Sequence, residues 1–156
     1  MIVTLRTASL DDFEIIHAIR RDAILGVAAE TGLRDRQTWA DSRSPAFFAD
    51  RVAARPGRHG QFGGRRYWVG SSAETWITGL YVRTSWSGKG VGRRLMATLE
   101  TEIVKQGHAC ARVESSPNAV GFYTRLGYIQ VGLPDGEGAV PMKKRLRTAD
   151  PKAKAV

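Results

Sequence analysis

Residues 88–92 read Gly-Lys-Gly-Val-Gly, and their flanks restrict the fold more than any other feature of the chain. Before them, residues 75–83 have the composition of a β-strand. A flat alternation would put Trp76, Thr78, Leu80 and Val82 on one face, with Ile77 and Tyr81 on the other. After them, Val91, Leu95, Leu99 and Ile103 recur every four residues with Met96 beside them, and Gly107 stands where a left-handed cap would end the helix. Strand, glycine loop and helix together make a phosphate-binding geometry. Glycines let successive N–H groups converge on one space, and the helix start adds its own unpaired N–H groups and positive dipole end. A tight strand-to-helix turn would use the same residues without a ligand. Two common phosphate motifs do not fit. A Walker A loop needs Lys then Ser or Thr after its last Gly, whereas Gly92 is followed by Arg93-Arg94; a dinucleotide fingerprint needs a third glycine at position 93.

The rest of the chain supplies an alternating frame. Residues 2–7 alternate as a strand. Ser9 and Asp12 have capping-box spacing, and Ile15, Ile16, Ile19 and Ala23 continue a helix over 10–27. A second helical stretch is expected over 35–54, broken near Ser44-Pro45, with Trp39, Phe47, Phe48 and Val52 on its inner face. Residues 109–114 read as a short strand. Pro117-Asn118 opens a helix with Ala119, Phe122 and Leu126 toward the core and Gly127 as the stop, which turns Tyr123 to another side. Final strands fit 128–133 and 139–146. The order implies an α/β fold with a mixed central sheet. One domain is expected over 1–147, followed by a basic flexible tail at 148–156.

Composition removes several classes of function. At 156 residues, with 42% hydrophobic and 25% charged, the chain resembles an ordinary globular domain. No apolar run spans a bilayer, and the start Met1-Ile2-Val3-Thr4-Leu5-Arg6 lacks a signal-peptide pattern, so a cytoplasmic protein is expected. The lone Cys110 cannot form an internal disulfide, in keeping with a reducing compartment. His17, His59 and His108 show no metal-ligand spacing, and no metal is expected. The net charge of +9 fits nucleic acid, an acidic surface or a polyanionic small ligand. Part of it is the C-terminal run Lys143, Lys144, Arg145, Arg147, Lys152 and Lys154, and the remainder is scattered, so nucleic acid is not favoured.

Leu80-Tyr81-Val82, the glycine loop, the long helix and Ser116-Pro117-Asn118-Ala119-Val120-Gly121-Phe122-Tyr123-Thr124-Arg125-Leu126-Gly127-Tyr128 together resemble the GCN5-related N-acetyltransferase (GNAT) superfamily. The resemblance is dense over 76–132 and looser over 1–55. It implies a mixed sheet with two splayed strands and flanking helices, and a reaction that moves acetyl from acetyl-CoA to an amine. The family loop is commonly Gln/Arg-x-x-Gly-x-Gly/Ala; Gly90 and Gly92 match its small positions, while Ser87 replaces the long first side chain. By that resemblance Ser87, Gly88, Lys89, Gly90, Val91, Gly92 and Arg93 hold the pyrophosphate, and Leu80, Tyr81 and Val82 carry pantetheine. Asn118 matches a cofactor contact, and Tyr123 a general acid that also meets the cofactor.

Direct attack by an amine on a thioester needs a proton acceptor but no covalent enzyme intermediate. Glu74 and Glu114, near strand ends, are the candidate bases; Cys110 reads as packing. Trp39, Phe47 and Phe48 could wall an acceptor pocket, with Glu30, Asp35 or Asp41 attracting a cation. The expected partners are acetyl-CoA and an amine of a small molecule or protein; no membrane is expected, and homodimerisation is left open. The competing readings are an acetyl-CoA-binding sensor without catalysis and a basic nucleic-acid-binding module.

Residues 57–70 stand out, with five glycines and three arginines where relatives carry a strand hairpin. If the arginines use CGN codons, moving the frame forward by one nucleotide permits an apolar strand, a polar turn and a second strand. The expectation is that this segment is a local frameshift, natural or from sequencing, restored before about Thr75. Its expected product is an irregular, poorly packed hairpin toward the sheet's edge. AGR codons at 65 and 66, or stops in the shifted frame, would rule this out.

Overall fold

The computed structural model describes residues 6–27, 35–47, 49, 61–62, 67–71 and 75–147. Among them, seven strands form one sheet in the order β1-β2-β3-β4-β5-β7-β6. The strands are β1 (Arg6–Thr7), β2 (Gln61–Phe62), β3 (Tyr67–Ser71), β4 (Trp76–Val82), β5 (Cys110–Ser115), β6 (Ile129–Gln130) and β7 (Val140–Arg145). The helices are α1 (Phe13–Leu25), α2 (Arg36–Asp41), α3 (Val91–Lys105) and α4 (Val120–Arg125). The expected strand over 2–7 is seen at Arg6–Thr7; residues 2–5, the tail at 148–156 and most of 57–66 lie outside the described residues. The unusual segment does contribute a hairpin: β2 pairs antiparallel with β3, and β3 with β4.

Local signals place the first helices. The Ser9 N–H donates to Asp12 Oδ2 at 2.8 Å, and the Arg6 guanidinium grips both oxygens of that carboxylate at 2.7 Å. Those bonds, the Arg6 hydrogen bond first, hold the Asp12 pKa below its usual value. The break expected in the second helical stretch is present: α2 ends at Asp41, and helix resumes at residues 45–47.

Two cores lie on opposite faces of the sheet. Val91, Leu95, Met96, Leu99 and Ile103 of α3 are all buried, together with Ala111 and Val113 of β5 and Val140 and Met142 of β7. On the other face Ile16 and Ile19 of α1 pack with Ala8, Phe13, Ile15, Phe47 and Tyr81.

Strand β4 departs from simple alternation. Gly70 faces Gly79 but Ser71 faces Ile77, so Thr78 is an extra residue on β4. Such a bulge shifts the side-chain period by one. Ile77 therefore joins Leu80 and Val82 in the α3 core instead of lying with Tyr81.

The bulge coincides with a parting of the sheet. Strands β4 and β5 run parallel and pair only at Trp76–Arg112 and Ile77–Val113. Beyond Ile77, β4 continues to Val82 and β5 to Ser115, the latter paired on its other side with β7. A gap opens between them, as the splayed-strand expectation required.

Candidate functional site

A cleft of about 1430 Å³ runs through this gap. On the α3 side its wall is the glycine loop. Gly88 and Gly90 have φ of +73° and +76°, values that favour glycine, and a Cβ at either would meet nothing within 4 Å. The loop is thus shaped by conformation, and the space in front of it is open. Gly92 serves differently: a Cβ there would lie 3.2 Å from the Phe122 ring, so its bare backbone lets α4 approach the start of α3. Gly90 caps α3, and the first helical hydrogen bond runs from Arg94 N–H to Gly90 C=O at 3.2 Å. The N–H groups of Val91, Gly92 and Arg93 belong to the helix's open first turn.

Most of the residues singled out from sequence meet in this cleft. Leu80, Tyr81, Val82, Ser87, Gly88, Gly90, Val91, Gly92, Arg93, Glu114, Asn118 and Tyr123 all line it. Lys89 does not; its ammonium sits over the Trp86 ring, 5.0 Å from the centroid. Glu74 lies outside the described residues. Of the residues considered for an acceptor pocket, Asp35, Trp39 and Phe47 line the cleft. Asp41 is turned outward, paired with Arg21 at 3.0 Å, while Glu30 and the Phe48 side chain are outside the described residues.

The two aromatics of α4 exchange their expected places. Tyr123, not Phe122, is the buried one, at 7% exposure. Its ring meets Phe122 edge-on at 5.1 Å and Tyr128 at 5.6 Å. Phe122 is half-buried and leans on Gly92. Desolvation, with Tyr81 nearby, raises the Tyr123 pKa well above that of ordinary tyrosine. The hydroxyl is therefore protonated throughout the neutral range.

Glu114 lies across the sheet. Ala111, Val113 and Ser115 of β5 are buried on the α3 face, so Glu114, exposed and alternate to them, faces the α1 side. The cleft thus has the glycine loop on the α3 side and Glu114 toward the α1 side. Residues not singled out from sequence also line it, among them Arg20, Ser116, Phe122, Asp135 and Glu137. Ser116 and Phe122 lie in the stretch that carries the resemblance, where Phe122 reads as core and Ser116 has no role of its own; no local motif marks Arg20, Asp135 or Glu137. Among the described residues no His, Cys, Asp and Glu side chains group as metal ligands, and no helix is long and apolar enough to cross a membrane.

Comparison with known proteins agrees with this geometry. A family model described as an acetyltransferase (GNAT) domain matches residues 69–146, half of the chain. A sequence comparison with curated proteins yields no match. Among solved structures, a GCN5-related N-acetyltransferase from Rhodopseudomonas palustris superposes with TM-score 0.76 at 23% identity, covering 94% of this chain and 99% of that one. PaiA N-acetyltransferase from Thermoplasma acidophilum, in complex with coenzyme A, gives TM-score 0.71 at 19% identity, over 93% and 99% of the two chains. A phosphinothricin acetyltransferase from Sinorhizobium meliloti, in complex with AcCoA, gives 0.68 at 20%, over 94% and 89%. At these identities the structural likeness carries the fold.

Proposed function

The chain belongs to the GNAT acetyltransferase domain family, and from that premise we propose that it transfers the acetyl group of acetyl-CoA to a primary amine of a small molecule or protein. The observation that carries this reading is the parting of β4 from β5 beside a positive-φ glycine loop, within one continuous cleft. The fit to the cofactor is good: open space fronts Gly88 and Gly90, and unpaired N–H groups surround it. When bound, acetyl-CoA supplies an activated thioester. The N–H groups of residues 88–93 would hold its pyrophosphate, Asn118 would flank it, and the backbone of Leu80, Tyr81 and Val82 would accept the pantetheine arm.

Tyr123 would hold a proton for the departing sulfur. Ordinary thiols titrate near ~8.5, far below this raised phenol, so the hydroxyl acts chiefly as a hydrogen-bond donor to developing negative charge. Glu114, on the α1 side, would take the proton that the attacking amine loses. These roles place the reaction in the gap between the strands, and we assign the protein to the cytoplasm. Release of free thiol from acetyl-CoA across an amine panel tests the proposal. Tight cofactor binding with no turnover on any amine would replace it by a non-catalytic sensor.

A further inference from the structure

Arg20 lines the cleft from α1, and among the described residues its charge has no carboxylate partner. It is 5% exposed on α1 and lines the cleft. Nη1 donates to Ala40 C=O at 2.9 Å, and Nη2 donates to Trp39 C=O at 3.0 Å and Ser42 Oγ at 3.2 Å. All three acceptors are uncharged. A guanidinium has five N–H donors, so Nε–H and one Nη1–H remain. The adjacent Arg21 shows the contrast: it lies at the surface and is paired with Asp41 at 3.0 Å. No carboxylate among the described residues pairs with Arg20. A buried charge left without a counter-charge is costly, and a ligand that brings the counter-charge recovers that cost.

The position of Arg20 ties this charge to the reacting centre. Its guanidinium lies over the Tyr81 ring, 5.8 Å from the centroid. Tyr81 belongs to the part of β4 that borders the gap, and it is close enough to Tyr123 to influence its titration. Asp35, Asp135 and Glu137 also line the cleft and offer negative charge. The cleft thus combines acidic groups suited to an ammonium with Arg20, the one buried arginine among its lining residues; Arg43, Arg93 and Arg125, which also line it, are exposed.

We propose that Arg20 is a specificity residue that binds a carboxylate of the acceptor, so that the substrate class is small amines that also carry a carboxylate group. This deepens the acetyltransferase reading and rests on it. A guanidinium N–H makes a charge-assisted hydrogen bond to a carboxylate, which also brings the counter-charge.

The test uses matched pairs of amino acids and their carboxamides, which keep the amine and remove the negative charge. The carboxamide amine is the less basic, so any reactivity bias runs against the proposal. Two readouts are taken on the intact protein: kcat/KM by free-thiol release, and the rise in Tm on adding each acceptor in the presence of coenzyme A. The acids should exceed their carboxamides by about tenfold or more, as expected for a hydrogen-bonded charge pair. Arg20→Gln should erase that preference through KM while kcat on carboxamides persists, and Arg20→Lys should keep part of it. A wild-type protein that treats the pairs alike or favours carboxamides would overturn the proposal. So would a folded Arg20→Gln variant that keeps the preference. If Arg20→Gln fails to fold because the tie to α2 is lost, the wild-type pairs decide alone. If coenzyme A binds but no amine is acetylated, the acetyltransferase reading fails, and the Tm arm alone settles whether a carboxylate is bound.

Discussion

Single residues in the cleft differ in why they are what they are, and substitutions should separate the reasons. At Gly90 the constraint is conformational, because φ is +76° and a Cβ would meet no protein atom. Gly90→Val should therefore leave the core intact while straining the loop and filling the space before its N–H groups. Calorimetry should show acetyl-CoA affinity falling by about tenfold or more, on the scale of one such strain; unchanged binding would remove the loop from the site. At Tyr123 the proposed constraint is chemical. Tyr123→Phe keeps the ring that packs against Phe122 and Tyr128. Turnover should fall on the order of 100-fold while cofactor affinity stays level. Full turnover with chemistry rate-limiting would exclude the hydroxyl from the reaction. Its raised pKa predicts that the alkaline side of the rate profile will show no loss of activity from Tyr123 near the usual tyrosine value.

Between elements, a small hydrogen-bonded junction joins α1 to the turn before the glycine loop. Asp22, near the end of α1, accepts the Thr84 N–H at 2.7 Å, and its C=O accepts from Thr84 Oγ1 at 3.2 Å. Thr84 begins the short 3-10 turn, Thr84–Trp86, that leads into the glycine loop. Gly26 follows directly: a Cβ there would lie 2.2 Å from Thr84 Oγ1. Helix α1, which carries Arg20, is thereby fixed against the turn that aims the loop. Asp22→Ala should free that turn and lower acetyl-CoA affinity severalfold, with a loss of about 1 kcal/mol in stability for one hydrogen bond. Calorimetry and urea unfolding on the same sample check both. An affinity loss without the small stability loss would point to direct ligand contact by Asp22 instead.

For the whole molecule, the buried phenols set a limit on stability in alkali. Burial raises the pKa of both Tyr123 and Tyr128, and the carboxylate of Glu100, which accepts from the Tyr128 hydroxyl at 3.1 Å, adds to the second shift. An unfolded tyrosine releases its proton near pH ~10. The folded protein keeps these protons beyond that point, so the unfolded state gains from ionisation first. Their contribution is fully present below about pH 10 and declines as pH rises further. Urea midpoints at about pH 9 and pH 11 should fall further for the wild type than for Tyr123→Phe, which has one such proton fewer. Equal falls would show that Tyr123 does not feel the core as described.

What the chain's own pattern determined is local. The four-residue recurrence from Val91 to Ile103 leaves one arrangement in which all four side chains are buried, and they are. The spacing of Ser9 and Asp12, the break after Asp41 and the positions of Gly88 and Gly90 are equally short-range, because caps, turns and helix faces involve neighbours in sequence. The GNAT resemblance was legible for a related reason: its loop and its Asn118–Tyr128 stretch are contiguous motifs. Tertiary packing decided the rest. Whether Tyr123 or Phe122 enters the core depends on where a six-residue helix is pressed against the sheet and against Gly92, which its own period is too short to specify. The bulge at Thr78 and the parting of β4 from β5 depend on partners distant in sequence. Arg20 carries no motif at all. Only when α1 is laid across β4, with the end of α2 over its guanidinium, does an ordinary helical arginine become a buried charge facing the cleft.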